Sequence, residues 1–521
     1  MFTRISEKAS GVLAPRPVSV KDRKGTFTFS QDTLMYVNPL FAEEAETFID
    51  LLLEDLPYEE KGAGENELYI NKRKGIKGYR LTITPEKAEV AAEDSVSIFQ
   101  GLETLRSLLL TYGHTVPCCV ISDYPKTEYR GFMLDVARHF VTIREIKKLL
   151  KAASLLHLNY FHWHLTDDQG WRFPLSFDPK VNEESSVRPA KDYQEERTEG
   201  GIYTRAELEE VVSYASRLHI TIVPEIETPG HAMALLHAHP EFGCTGGPYE
   251  VPTTGGIFSD VLCVGNDEVL SFFRKVFAEV AEIFPGPYIH MGGDECPHTA
   301  YETCPKCQQR IRDNGLKDVR ELQSWMTVQI AKIITELGRI PVGWDEVLEN
   351  TDTMGLPPEV VVMSWRGSQG GIEAAKRGHR VIMSPSVEGV YYDYRYDRED
   401  PDEHGQYWGE ASVRASYDFE PVKPEMGEHG DLVLGGQGNL WTERVDFGRD
   451  AEALLFPRLV ALAESLWSGE KDWESFRARR GAIEKRLSSQ DVMFWSGEWK
   501  SITHGAEPRG MSLDTLCPEN R

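Results

Sequence analysis

Apolar and polar positions follow two rhythms between residues 129 and 467. Short, nearly continuous apolar runs recur at Tyr129–Leu134, Tyr160–Leu165, Thr221–Ile226, Tyr288–Met291, Ile340–Trp344, Val360–Trp365, Arg380–Ser384 and Leu432–Gly435. Runs of this length without strict alternation suit strands buried on both faces, as in a parallel sheet. Between them lie stretches with apolar residues at helical spacing, such as Ile143–Leu156, Arg205–Arg217, Glu268–Ile283 and Leu322–Leu337, and Ala451–Trp467 follows the last run. Eight strands alternating with helices over roughly 370 residues predict an α/β fold, a (β/α)₈ TIM barrel, whose chemistry sits at the strands' C-terminal ends. Upstream, from Pro15 to about Asp123, the pattern is that of a smaller α/β domain. Strands are expected at Gly25–Phe29, Glu67–Ile70 and Tyr79–Thr84, and helices at Ala42–Leu56 and Val96–Leu110. Ser468 to Arg521 reads as a closing helix and an irregular tail. The expected division is 1–123, 124–495 and 496–521.

The fourth run ends in the chain's most informative stretch, Tyr-Ile-His-Met-Gly-Gly-Asp-Glu-Cys, residues 288 to 296. Gly292 and Gly293 allow a sharp turn or a close backbone approach. Asp294 and Glu295 then stand together at a strand end. Two adjacent anions repel, which favours a proton on one of them, the usual arrangement for a general acid beside an anion. His-x-Gly-Gly-Asp-Glu resembles the signature of the β-N-acetylhexosaminidases, glycoside hydrolase family 20, and the resemblance extends in ordered motifs over roughly residues 15 to 495.

That resemblance implies roles for other strand ends. In the first strand's Tyr-Arg-Gly-Phe-Met-Leu-Asp-Val-Ala-Arg-His-Phe, it assigns Arg130 to the sugar's O3 and O4, with Asp135, Arg138 and His139 as scaffold ion pairs at the barrel mouth. Asp167 and Asp168 follow the second strand, and further ligands at cation-binding spacing are missing there. The resemblance instead pairs Asp167 with His231, from Pro-Gly-His after the third strand, to orient the acid Glu295. Trp344, Trp365 and Trp441 lie at later strand ends and suit walls that stack on apolar sugar faces. By resemblance Tyr391 donates to an acetamido oxygen, with Tyr392 one residue out of register, and Asp393 with Glu443 reads O4 and O6. His298 departs from the family pattern, which has lysine there.

Family 20 is an exception to the two-carboxylate scheme of retaining glycosidases, because the substrate's own 2-acetamido group is the nucleophile. The resemblance therefore implies an exo-acting retaining hydrolase that releases terminal β-linked N-acetylhexosamine, GlcNAc or GalNAc, through an oxazolinium ion. Asp294, Glu295, Asp167, His231 and Tyr391 would be catalytic, and no cofactor or catalytic metal is expected. The alternatives are a relative that releases a disaccharide such as lacto-N-biose, a carbohydrate-binding protein without catalysis, and a metal-dependent barrel hydrolase.

Composition narrows the partners. A formal charge of −26 over 521 residues argues against nucleic-acid and anionic-membrane partners. No apolar run approaches a membrane span. The start, Met1-Phe-Thr-Arg-Ile-Ser-Glu-Lys, lacks the apolar core of a signal peptide. The chain is then either cytoplasmic or a mature exported form whose leader has been removed, and the exported form is the expectation. Eight cysteines are too few for a disulfide scaffold. Cys244 and Cys263 flank a Gly/Pro/Thr-rich loop and would suit one bridge in an oxidising compartment. Cys296, Cys304 and Cys307, with His298, have spacing for a structural zinc or for a disulfide within the cluster.

Overall fold

The computed structural model describes residues 5–56, 66–189, 198–351, 354–397, 403, 405–445 and 448–500, without the side chains of 407 and 408. Six strands open the chain: β1 (Ser19–Thr28), β2 (Leu34–Val37), β3 (Glu67–Lys72), β4 (Tyr79–Ile83), β5 (Lys87–Ala92) and β6 (Thr115–Asp123). They form one mixed sheet in the order β1-β6-β4-β5-β3-β2. Tyr79, Leu81 and Ile83 of β4 point inward, and Arg80 between them is exposed, the period-two signature of a sheet with one buried face. Helices α1 (Ala42–Asp55) and α2 (Ser95–Tyr112) supply the matching apolar surface, with Leu102, Leu105 and Leu109 in the same core.

Strands β2, β5 and β6 were not expected. Lys-Ala-Glu-Val-Ala-Ala of β5 consists mainly of good helix formers, and pairing on both sides with β3 and β4 overrides that preference. β6 contains Pro117, which falls where only β1 runs alongside and where β1 is irregular between Asp22 and Thr26.

The rest of the fold is the expected barrel. Parallel strands β7 (Tyr129–Asp135), β8 (Tyr160–His164), β9 (Thr221–Thr228), β10 (Tyr288–Gly292), β11 (Ile340–Trp344), β12 (Val361–Ser364), β13 (Val381–Met383) and β14 (Val433–Leu440) close in sequence order. The first two outer helices, α3 (Ile143–Leu155) and α4 (Arg205–Arg217), start at capping boxes, Thr142 with Glu145 and Thr204 with Glu207. α5 (Asp267–Ile283) precedes β10, and α6 (Pro305–Asn314) and α7 (Val319–Glu336) follow it. The single helix expected at 451–467 is two, Gly448–Leu455 and Arg458–Trp467, because Pro457 has no amide proton to carry it through. The closing helix is likewise two short ones, Trp473–Ala478 and Arg480–Ser489; residues 501–521 of the expected tail lie outside the described residues.

The two layers are joined by buried polar contacts. Trp467 donates its indole N–H to Asp123 (2.9 Å), and Arg106 of α2 is held by Glu103 and Asp55, which also pairs with Lys151 of α3. Among the described residues no helix is long and apolar enough to cross a membrane.

Candidate active site

β10 carries the acidic pair to the barrel mouth. Its five residues are buried, and the last of them, Gly292, and the next residue, Gly293, have φ of +69° and +107°. A Cβ on Gly292 would run into the Glu227 carboxylate at the end of β9, so only glycine fits the turn. Glu295 itself has φ of +43° and His231 +47°, sparsely populated backbone for non-glycine residues that the surroundings must hold in place.

His231 links the acidic pair to the second strand end. Its Nε2 lies 3.5 Å from Glu295 Oε2 and 3.7 Å from Asp294 Oδ2. Its Nδ1 lies 3.0 Å from Asp168 Oδ2 and 3.2 Å from Asp167 Oδ1. The sequence reading singled out Asp167 alone, yet Asp168 is the nearer. Asp167 is shared with Arg138 (2.8 Å) and His164 (2.9 Å), whereas Asp168 also accepts from the Met233 amide (3.0 Å). Burial disfavours the His231 imidazolium, but Asp167, Asp168 and Glu295 outweigh it and hold the pKa well above the ordinary histidine value. The ring is therefore a cation between two pairs of carboxyls.

The first strand requires a correction. Arg130 sits at the N-terminal end of β7, away from the mouth, with its guanidinium donating to the His157 (2.8 Å) and Thr127 carbonyls and lying over the Trp467 ring. It braces the N-terminal end of the barrel and is not among the residues that line the cleft. The arginine of this motif that lines the cleft is Arg138, three residues past the end of β7, paired with Asp135 (3.2 Å), Asp167 (2.8 Å) and Glu443 (3.9 Å). The C-terminal-end rule, applied within the motif, selects Arg138; carrying the role to the first arginine overlooked it.

A cleft of about 710 Å³ opens over this network. Asp294, Glu295, His231, Trp344, Trp365, Tyr391, Asp393, Trp441 and Glu443 all line it, and Asp167 stands behind His231. Tyr392 turns away, its ring against Gly438 and the Arg458 guanidinium. The tryptophans are fixed from behind: Trp344 donates to Glu225 (2.8 Å), Trp365 to Glu346 (2.8 Å), and Trp441 lies 5.8 Å from Trp344 and 5.1 Å from the Arg138 guanidinium. Tyr394, Gln406, Arg444 and the segment Thr254–Ile257 complete the lining and carried no signal in the sequence.

Three buried carboxylate oxygens at the cleft, Asp294 Oδ1, Asp393 Oδ1 and Glu443 Oε2, have no partner among the described residues, which marks them as acceptors for a ligand's N–H or O–H groups. Burial, reinforced by Glu295 and opposed by His231, raises the Asp294 pKa to about 6. Burial and the facing Glu443 raise Asp393 well above the carboxylate range, and burial with Asp294 does the same to Glu227. Deeper in the barrel, His162, His164 and His290 converge on Glu225; His164 is hydrogen-bonded to it, and ring nitrogens of His162 and His290 lie 2.9 Å and 2.8 Å from its carboxylate.

The cysteine expectation also changes. Cys296 contacts the Tyr301 hydroxyl (3.5 Å) and His298 contacts Gln323 (2.6 Å), so neither joins Cys304 and Cys307. Cys244 and Cys263 do.

Residues 12–124 match the profile of glycosyl hydrolase family 20, domain 2, and residues 127–470 that of glycosyl hydrolase family 20, catalytic domain. Over 489 residues the chain is 38% identical to a beta-hexosaminidase of Porphyromonas gingivalis, covering 91% of this chain and 62% of that one, just under two thirds of the relative's length. A beta-hexosaminidase of Akkermansia muciniphila is 34% identical over 77% of this chain and 82% of its own. Among solved structures, the exo beta-N-acetylglucosaminidase of Vibrio harveyi in complex with N-acetylglucosamine superposes with a TM-score of 0.84 at 27% identity, over 94% of this chain and 79% of that one. The Streptomyces plicatus N-acetyl-beta-hexosaminidase in complex with Thio-NAglucal gives 0.80 at 27%, over 94% and 97%. With an acidic pair at the fourth strand end, a cationic histidine behind it and both domain profiles spanning sheet and barrel, the chain belongs to glycosyl hydrolase family 20.

Proposed function

We infer that the protein is an exo-acting, retaining β-N-acetylhexosaminidase that removes terminal β-linked GlcNAc or GalNAc by substrate-assisted catalysis. The observation that carries this reading is the shared contact of His231 Nε2 with Glu295 and Asp294, beside the unpartnered Asp294 Oδ1 in a tryptophan-walled cleft. The two carboxyls are neighbours on one loop and do not stand on opposite faces of a sugar, so an enzyme-borne nucleophile is poorly served. An acetamido oxygen on the substrate fills that role. The names of the relatives and the N-acetylglucosamine bound in the Vibrio harveyi structure agree with such a substrate.

In the first step the acetamido oxygen attacks C1 as the glycosidic C1–O bond breaks, and Glu295 gives its proton to the leaving oxygen. Asp294 Oδ1 accepts from the acetamido N–H and faces the positive charge that builds on the oxazolinium ring. Tyr391 donates to the acetamido oxygen and holds it at C1. In the second step a water attacks C1, Glu295 takes its proton, and the C1–O bond to the acetamido group opens with net retention. Arg138, Asp393 and Glu443 hold the ring hydroxyls, and the tryptophans cover its apolar faces. His231, fixed by Asp167 and Asp168, positions Glu295.

The test is a panel of p-nitrophenyl β-glycosides read alongside anomeric proton spectra of the first product. Turnover of the GlcNAc and GalNAc glycosides with initial formation of the β-anomer is expected. Release of the α-anomer first, or activity on glycosides lacking the 2-acetamido group, would overturn the mechanism. Release of intact lacto-N-biose in preference to the single sugar would favour the disaccharide reading.

A further inference from the structure

We propose that Cys244, Cys263, Cys304 and Cys307 form a closed structural zinc site that anchors the cleft-lining loop between the first two. Three separate segments bring the thiols together. Cys304 sits just before α6, with Pro305 in its first turn, so Cys304-Pro-Lys-Cys307 winds both sulfurs to one side. Cys263 follows an isolated bridge between Leu262 and Gly243, the residue before Cys244, and its amide donates to the Phe242 carbonyl (2.7 Å). Gly265 lies so close to the backbone of Lys306 and Cys307 that no side chain fits, and its amide is hydrogen-bonded to the sulfurs of Cys263 and Cys307.

The geometry is that of a tetrathiolate. The sulfur separations are 3.7 Å for Cys244–Cys307, 3.6 Å for Cys263–Cys304 and 3.6 Å for Cys263–Cys307, and all four sulfurs lie within 4.8 Å of one another. A tetrahedral zinc with Zn–S bonds of about 2.3 Å sets its sulfurs about 3.8 Å apart. Cys263 is equidistant from two sulfurs and Cys307 nearly so, and each separation is far longer than the about 2.0 Å of a disulfide bond. Three of the four are buried and Cys244 is partly so. Four soft thiolates at tetrahedral spacing suit zinc, and a set with no open position is structural and not catalytic.

The site bears on the cleft through the loop it closes. Cys244 and Cys263 are the two ends of a loop whose middle, Thr254–Ile257, lines the cleft, and Gln169 beside Arg138 donates to the Thr254 carbonyl (3.0 Å). A second link runs through Tyr301, whose hydroxyl donates to the Leu262 carbonyl (3.1 Å) and touches Cys296, the residue after Glu295. Zinc would thus fix both this loop and the segment after β10 without entering the chemistry.

The test uses the full chain purified without chelator. About one zinc per chain by elemental analysis, with all eight cysteines alkylated after denaturation without reductant, is the expected result. Cobalt grown into the protein should give the charge-transfer and ligand-field bands of a tetrahedral tetrathiolate. Protein without zinc, with four cysteines protected from alkylation until reduced, would overturn the proposal in favour of two disulfides. Iron in place of zinc would overturn the metal assignment. Chelator dialysis under reducing conditions should lower Tm and raise KM about tenfold with a smaller change in kcat, as the loop loses its fixed ends, and added zinc should reverse both. An apoprotein with unchanged Tm and KM would refute the anchoring role. Cys263→Ser should abolish the metal; should it fail to fold, the metal and thiol counts of the unaltered protein still decide.

Discussion

Replacing Asp294 by asparagine separates the chemistry of the site from its stability, because the two should move in opposite directions. The amide keeps the shape but removes the charge and offers an N–H where the acetamido N–H needs an acceptor. A unit charge about 4 Å from the developing oxazolinium, at an effective dielectric constant of about 20, contributes about 4 kcal/mol. That corresponds to a fall in kcat of about three orders of magnitude. The stability term has the other sign. Burial lifts the Asp294 pKa to about 6, with the unfolded chain near the ordinary aspartate value. An acid with a raised folded-state pKa favours folding while protonated, so wild type loses that contribution as pH rises through 6. About two units of difference amount to at most about 3 kcal/mol, which Asp294→Asn regains at neutral pH and not below about pH 4. The assays are kcat on p-nitrophenyl N-acetyl-β-glucosaminide, inhibition by a thiazoline mimic of the intermediate, and Tm at pH 4 and 7.5. A fall in kcat under tenfold, or unchanged thiazoline affinity, would refute the role given to Asp294, and a lower Tm at pH 7.5 would refute the electrostatic account.

Glu295→Gln should lose far more activity on alkyl glycosides, which need a proton on the leaving oxygen, than on nitrophenyl glycosides, and equal losses would argue against the acid role. Asp168→Asn and Asp167→Asn should each lower the His231 pKa, whose elevation depends on both, so the alkaline limb of kcat/KM should move toward lower pH. Combined with Glu295→Gln, either should add little further loss, and simple multiplication of the losses would break the link. Arg138→Lys should cost about 100-fold in kcat/KM through lost bidentate contacts. Arg130→Met should lower Tm and leave KM near wild type, and a raised KM for Arg130→Met would restore the original assignment.

What was legible in the sequence, and what was not, follows from the range of the forces involved. Strands buried on both faces must be apolar throughout, so the barrel showed in runs such as 129–134 and 221–226. β14 runs on to Leu440, five residues beyond the apolar run that ends at Gly435, through a Gly-Gly-Gln-Gly stretch with no apolar signal. Its glycines are demanded by distant atoms: a Cβ on Gly435 would strike the Tyr129 carbonyl and one on Gly438 the Tyr392 ring. The same limit governs the site. Asp294 and Glu295 were legible because their meaning lies in adjacency, whereas the choices between Arg130 and Arg138 and between Asp167 and Asp168 depend on which end of a strand and which face of a turn a side chain occupies. The cysteines carry the point furthest. Spacing grouped Cys296 and His298 with Cys304 and Cys307, but the fold discards the first two and brings in Cys244, 63 positions before Cys307. Local spacing reported which loops approach the mouth of the barrel; only the register of three segments against one another selects the atoms that meet there.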